Sequence, residues 1–264
     1  MIIFGCPVGF NHIFKIAWDQ CLRLVHGFRS KDSRRIHVIY FSYVNDIEML
    51  KLSLASLMKL DEGILGNVNL VVDSKGPFSR AQEQELEEIV PSIKFHHLGR
   101  IDWASIDTLK TELKAFEIVS KTVSTDDYIA KVDSDILFYS SEKLKEILCS
   151  NALFVGDGHY SNYKYAQGGL YLMRRRLAEH ISYTKQPELL EAINKCGSIS
   201  EDRVISALVQ KSTDKIWLTR LMLFPDEYSK ANLSGYWVKK EFCSLHFVKN
   251  KKDMPEYAKR LNCL

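Results

Sequence analysis

The chain has 264 residues, 46% of them hydrophobic, and a net charge of +3. This is enough apolar material to bury a large core, and it excludes a disordered or fibrous chain. So small a charge also argues against a nucleic-acid partner, because nucleic-acid binders gather many Lys and Arg on one face.

Residues 11–28 (NHIFKIAWDQCLRLVHGF) place Ile13, Phe14, Ala17, Trp18, Cys21, Leu24, Val25 and Phe28 at helical spacing. The predicted amphipathic helix either packs on its own domain or docks on a membrane surface or partner. HVIYFSYV (37–44) then reads as a strand, followed by a helix from Asp46 as N-cap to about Leu60. VNLVVDS (68–74) is a second buried strand ending in Asp73, and Ser79 caps a helix reaching about Val90. KFHHL (94–98) predicts a short strand, and residues from about Asp107 to Thr122 a helix.

The fourth strand is YIAKVDSDILFY (128–139), an apolar run interrupted by Asp133, Ser134 and Asp135. Two carboxylates buried so close together are costly unless a cation neutralises them, and a divalent metal meets that need. On one continuous strand, Asp133 and Asp135 point the same way. The other reading is a solvated turn, with YIAK and ILFY as separate strands.

ALFVGDGHY (152–160) predicts a strand, SNYKYAQ a polar aromatic loop, and Gly168 and Gly169 open the strand GGLYLM. Helices over about 175–183 and 187–196 precede SISEDRVISALVQK, where Ser198 and Glu201 have capping-box spacing and Asp202 sits in the first helical turn. WLTRLMLFPDEYS and YWVKKEFCSLHFVKNKK, after it, read as short strands and loops. Residues 239–260 carry seven basic residues against three acidic, a tail suited to an anionic ligand or surface. The six cysteines show no metal-ligand spacing, so reduced thiols are expected. No apolar run is long enough to span a bilayer, and MIIFGCPVGF lacks the flanks of a signal peptide, which predicts a cytoplasmic protein.

Strands alternating with helices predict an α/β fold: a mostly parallel sheet with helices on both faces and a ligand at the carboxyl ends of the strands. Neither GxGxxG nor GxxxxGKS is present, which argues against ordinary Rossmann dehydrogenases and P-loop enzymes.

VDSD as a DxD motif, the GGLYLM strand, the Glu201–Asp202 pair opening a helix, and LHFVK near the C-terminus together resemble the GT-A nucleotide-sugar glycosyltransferases. The later elements are most similar to inverting enzymes of the β-1,3-galactosyltransferase and Fringe type. The resemblance runs from about residue 36 to 250. It implies an N-terminal extension (1–35) and a GT-A catalytic domain (36–264), whose nucleotide-binding half covers about 36–140 and acceptor half about 141–264.

The resemblance implies Mn²⁺ or Mg²⁺ held by Asp133, Asp135 and His246, with Asp133 reaching the metal through water or holding the ribose. It implies a diphosphate neutralised by Lys249, and a nucleoside held by Asp73, which otherwise only starts a turn. Gly168 and Gly169 would admit the sugar close to the backbone, or form a bulge. Asp202 is the implied catalytic base, with Glu201 second and Arg203 pairing with either carboxylate. Asp157, His159, Tyr160, Tyr163 and Tyr165 would line the acceptor site. The expected partners are a nucleotide-sugar donor, a UDP-sugar above all, and a glycan or glycolipid acceptor in bacterial surface-glycan synthesis. The N-terminal helix and basic tail would give peripheral contact with the inner membrane face. The alternatives are a metal-dependent phosphatase or nucleotidyltransferase, and a non-catalytic carbohydrate-binding protein of the same fold.

Overall fold

The computed structural model describes residues 34–99, 101, 105–160, 164–226, 240–247 and 251–262, with two short paired strands, β1 (Ile2–Ile3) and β2 (Cys6–Pro7). The predicted helix over 11–28 lies outside the described residues, as do Lys249, Tyr163 and the side chains of His159 and Tyr160.

The first half alternates as its periodicity predicts. β3 (Ile36–Ser42) leads to α1 (Ile47–Leu57), β4 (Leu65–Asp73) to α2 (Arg80–Ile89), and β5 (Lys94–Leu98) to α3 (Ile106–Ser120). Ser79 accepts from the Gln82 amide while Gln82 reaches back to the Ser79 amide, so this helix starts on a capping box. β6 (Tyr128–Asp133) follows, then β7 (Ile136–Phe138) and α4 (Glu142–Cys149). The second half comprises β8 (Phe154–Tyr160), β9 (Lys164–Arg174), α5 (Arg175–Ser182), α6 (Gln186–Cys196), α7 (Glu201–Ser212), β10 (Ile216–Thr219), β11 (Met222–Leu223), β12 (Ser244–His246) and α8 (Met254–Arg260).

Seven strands form one sheet in the order β10–β8–β9–β6–β3–β4–β5, parallel throughout except for β9. Alternate residues face opposite sides. Val38, Tyr40, Leu70, Ala130 and Val132 join α1, α2 and α4 in one apolar cluster, while Ile39, Phe41, Val71 and Ile129 join α3, α5, α6 and α7 in another. Each fully buried aliphatic side chain contributes about 1.5–3 kcal/mol. Strand order turns back at β3, which has β4 on one side and β6 on the other. A crevice therefore opens beyond the carboxyl ends of β3 and β6, where Phe41 pairs with Asp133.

Three local expectations are corrected. YIAKVDSDILFY is not one strand: β6 stops at Asp133, Ser134 and Asp135 turn, and β7 pairs antiparallel with β12 in a separate sheet of order β11–β12–β7. SNYKYAQ is not all loop, because β9 begins at Lys164 and pairs with β8, setting Ala166 opposite Gly158. Ser198 does not cap α7; its N-cap is Ser200, whose amide donates to the Ser198 hydroxyl. The C-terminal α8 lies beyond the segments read as strands and loops, and Asp253 ahead of Met254–Pro255 marks its start.

Candidate active site

A cavity of about 1200 Å³ lies at the carboxyl ends of β3, β4 and β6. The turn after β6 presents Asp133 and Asp135 to it, and β12 supplies His246. Pairing of β7 with β12 sets His246 opposite Ile136, and the Phe247 amide donates to the Asp135 carbonyl at 3.0 Å. One ligand atom from each of Asp133, Asp135 and His246 lies within 4.8 Å of the others.

Asp135 Oδ1 and His246 Nδ1 are buried without a hydrogen-bond partner, an arrangement a bound cation would resolve. The donor set of two carboxylates and one imidazole fits a divalent ion such as Mn²⁺ or Mg²⁺. Burial pushes the Asp135 carboxyl up, but His246, whose Nε2 is 3.5 Å from Oδ1, and then Lys251 outweigh it and hold the carboxyl below its usual range. Burial raises Asp133, and the like charge of Asp135 adds to this against the pull of Lys131.

Lys131 shares the Asp133 face of β6 and is fully enclosed. Its ammonium donates to the Asp133 carboxylate and to the Gly168 carbonyl. Burial disfavours its charge, yet Asp133, Glu112 and Glu201 together hold it above the ordinary lysine value. Burial raises the Glu112 carboxyl to about 8, and Tyr171 donates its hydroxyl to Glu112 Oε1. Glu201 is likewise raised by burial. The cavity floor is thus a buried polar network that joins the Asp133 side to β9.

The two glycines of β9 sit where side chains would collide. A Cβ on Gly169 would come within 2.8 Å of His246 Cε1, and one on Gly168 within 3.3 Å of Asp202 Cβ and 3.7 Å of Lys131 Nζ. Asp202 Oδ1 accepts from the Ser200 hydroxyl at 2.6 Å and the Arg203 amide at 2.7 Å, while Oδ2 has no hydrogen-bond partner among the described residues. Arg203 pairs with neither acidic neighbour. Its guanidinium lies 4.9 Å from the centroid of the Tyr165 ring.

No protein-family model and no curated protein sequence matches the chain. Solved structures do. The galactosyltransferase LgtC, in complex with donor and acceptor sugar analogs, aligns at a TM-score of 0.56 and 10% identity over 85% of this chain and 95% of its own. The bifunctional glycosyltransferase WbbM aligns at 0.53 and 11% over 87% of this chain and 50% of its own. The glycosyltransferase GlyE of Streptococcus pneumoniae aligns at 0.51 and 12% over 87% and 62%. The chain has the GT-A fold.

Other sequence-derived candidates sit variously in this GT-A frame. Asp73 lines the cavity, with Oδ1 accepting from the Lys75 amide at 2.6 Å and Oδ2 from the Ile101 amide at 2.7 Å. Asp157, expected at the acceptor site, is instead buried, and its Oδ2 accepts from the Leu221 and Met222 amides, both at 2.8 Å. It anchors the crossing from β10 to β11. Asp46, read from the sequence only as an N-cap, and Lys251 also face the cavity near the Asp133–Asp135–His246 cluster. Asp46 accepts from the Ser134 hydroxyl, and Lys251 Nζ lies 3.7 Å from Asp46 and 3.9 Å from Asp135. The only sequence signal for Lys251 was its place in the basic tail. Among the described residues, no helix is long and apolar enough to cross a membrane.

Proposed function

We propose that this GT-A chain is a metal-dependent glycosyltransferase that moves a hexose from a nucleotide sugar, a UDP-sugar by preference, to a carbohydrate or glycolipid hydroxyl with inversion. The observation carrying this reading is the Asp133–Asp135–His246 cluster, with unpartnered donor atoms, in the same cavity as Asp202. Mn²⁺ or Mg²⁺ there would supply Lewis-acid stabilisation to the departing diphosphate.

The chain's own groups do the rest. Lys251 supplies a cation beside the diphosphate position, in the role expected of Lys249. The rim formed by Tyr43, Asn45 and Asp73 receives the nucleoside. Gly168 lines the cavity and lets the sugar approach the β9 backbone, whereas Gly169, expected in the same role, is taken up by the His246 ring packed against it. Asp202 Oδ2 takes the proton from the acceptor hydroxyl as that oxygen bonds to the anomeric carbon and the bond to the diphosphate oxygen breaks. Serine and backbone donors hold Oδ1, so the carboxylate is aimed before the acceptor arrives. A place in bacterial surface-glycan synthesis at the inner membrane face fits a glycolipid acceptor and the exposed basic residues Lys252, Lys259 and Arg260.

The test is a panel of nucleotide sugars with Mn²⁺, following release of nucleoside diphosphate, repeated with Asp135→Asn. Release from one donor class, lost in the variant, is expected. No release from any donor, or full activity in the variant, would remove the proposal. NMR of the product reads the anomeric configuration, and retention would remove Asp202 as the base.

A further inference from the structure

We propose that the acceptor carries an anionic group, a carboxylate or phosphate, and that Arg203 recognises it. This deepens the glycosyltransferase reading and rests on it. Arg203 lies in the first turn of α7, directly after Asp202, and both line the cavity. Its guanidinium is half-buried and held 4.9 Å above the Tyr165 ring, yet it forms no ion pair or hydrogen bond to any described residue. Of the other cations lining the cavity, Lys131 is engaged by Asp133 and the Gly168 carbonyl and Lys251 by Asp46 and Asp135, while the exposed Lys75 sits beyond the β4 end, two residues after Asp73.

A guanidinium stacked on an aromatic face keeps its edge free, and that planar edge matches two oxygens of a carboxylate or phosphate. Stacking also restricts the side chain beforehand, so less freedom is lost when a ligand binds. Position assigns the anion to the acceptor. Tyr165 lies opposite His159 on β8, and in the sheet β6 separates this β8–β9 pair from the β3 and β4 ends that carry Tyr43 and Asp73. An acceptor whose hydroxyl meets Asp202 therefore brings its neighbouring substituents to the adjacent Arg203.

The experiment compares binding, by calorimetry, of methyl glucuronide, glucose 6-phosphate and neutral methyl glucoside to the full chain and to Arg203→Gln, Arg203→Lys and Tyr165→Leu. At least one anionic probe is expected to bind about 10-fold or more tightly than the neutral one. Arg203→Gln removes the difference, and Arg203→Lys, which keeps the charge but not the fork, retains part of it. Tyr165→Leu, which leaves the guanidinium intact but unstacked, weakens the preference. Equal binding of all three probes, or a preference that survives Arg203→Gln, overturns the inference. A parallel titration with UDP-glucuronate and UDP-glucose separates the two sources of the anion. If Arg203→Gln weakens only UDP-glucuronate, the charge belongs to the donor sugar and the acceptor assignment falls. These readouts need no turnover, so failure to release nucleoside diphosphate would strike the glycosyltransferase reading separately.

Discussion

Gly169 lies flush against His246: a Cβ on the glycine would come within 2.8 Å of ring carbon Cε1 and 2.9 Å of Nε2. Phe224 stacks on the same imidazole with ring centres 6.0 Å apart. The ring is thus confined by the β9 backbone and an aromatic side chain, which orient the imidazole that we propose holds the metal, since no hydrogen bond fixes its Nδ1.

Gly169→Ala therefore displaces the imidazole. Mn²⁺ affinity, followed by electron paramagnetic resonance, is expected to fall about tenfold or more, with a loss of stability of about 1–3 kcal/mol from overpacking. Affinity equal to that of the parent would show that His246 does not hold the ion.

Lys131→Met removes the cation shared by Asp133, Glu112 and Glu201. The acidic groups left behind lose the strongest attraction offsetting their burial, so urea unfolding should show a loss of about 3–5 kcal/mol. A midpoint shift equivalent to less than about 1 kcal/mol would mean that the ammonium does not organise this floor.

Glu112 gives a pH signature. An unfolded glutamate releases its proton near 4.5, whereas burial raises this carboxyl to about 8. Between those values the folded state holds a proton that the unfolded state has lost. The stabilisation is complete below pH 4.5 and disappears as the pH rises toward 8. In EDTA, the parent chain should lose about 1–2 kcal/mol relative to Glu112→Gln between pH 6 and 8. Parallel stability curves for the two would rule out a protonated Glu112.

Asp157→Ala separates scaffold from site. It strips the acceptor from two buried backbone amides, so urea unfolding should register about 2–4 kcal/mol of destabilisation. Mn²⁺ affinity of the folded fraction should stay within twofold, on the order of 0.4 kcal/mol. A large change in affinity would return Asp157 to the binding surface.

Much of the fold could be read locally. β5 begins and ends where KFHHL does, and the Ser79 box marks the start of α2, because side-chain periodicity and capping act over a few residues. Asp133 and Asp135 stood out for a similar reason, as charges inside an apolar run. Lys131 sits in the same run but carries no local signal of its role. The cation sought for those carboxylates is partly this internal ammonium, visible only once Glu112 and Glu201 are known to face it.

The sequence by itself determined the α/β alternation, an acidic pair at the end of a buried strand, and the helix start carrying Glu201 and Asp202. Tertiary structure alone decided that YIAKVDSDILFY divides between two sheets with a turn at Ser134 and Asp135, since β7 leaves the main sheet to pair with β12. It likewise decided that Asp157 anchors backbone and that Arg203 turns from its acidic neighbours to Tyr165. The physical reason is common to all three. Local periodicity fixes which way a side chain points, but a charge takes its partner from whichever segment the sheet register brings alongside.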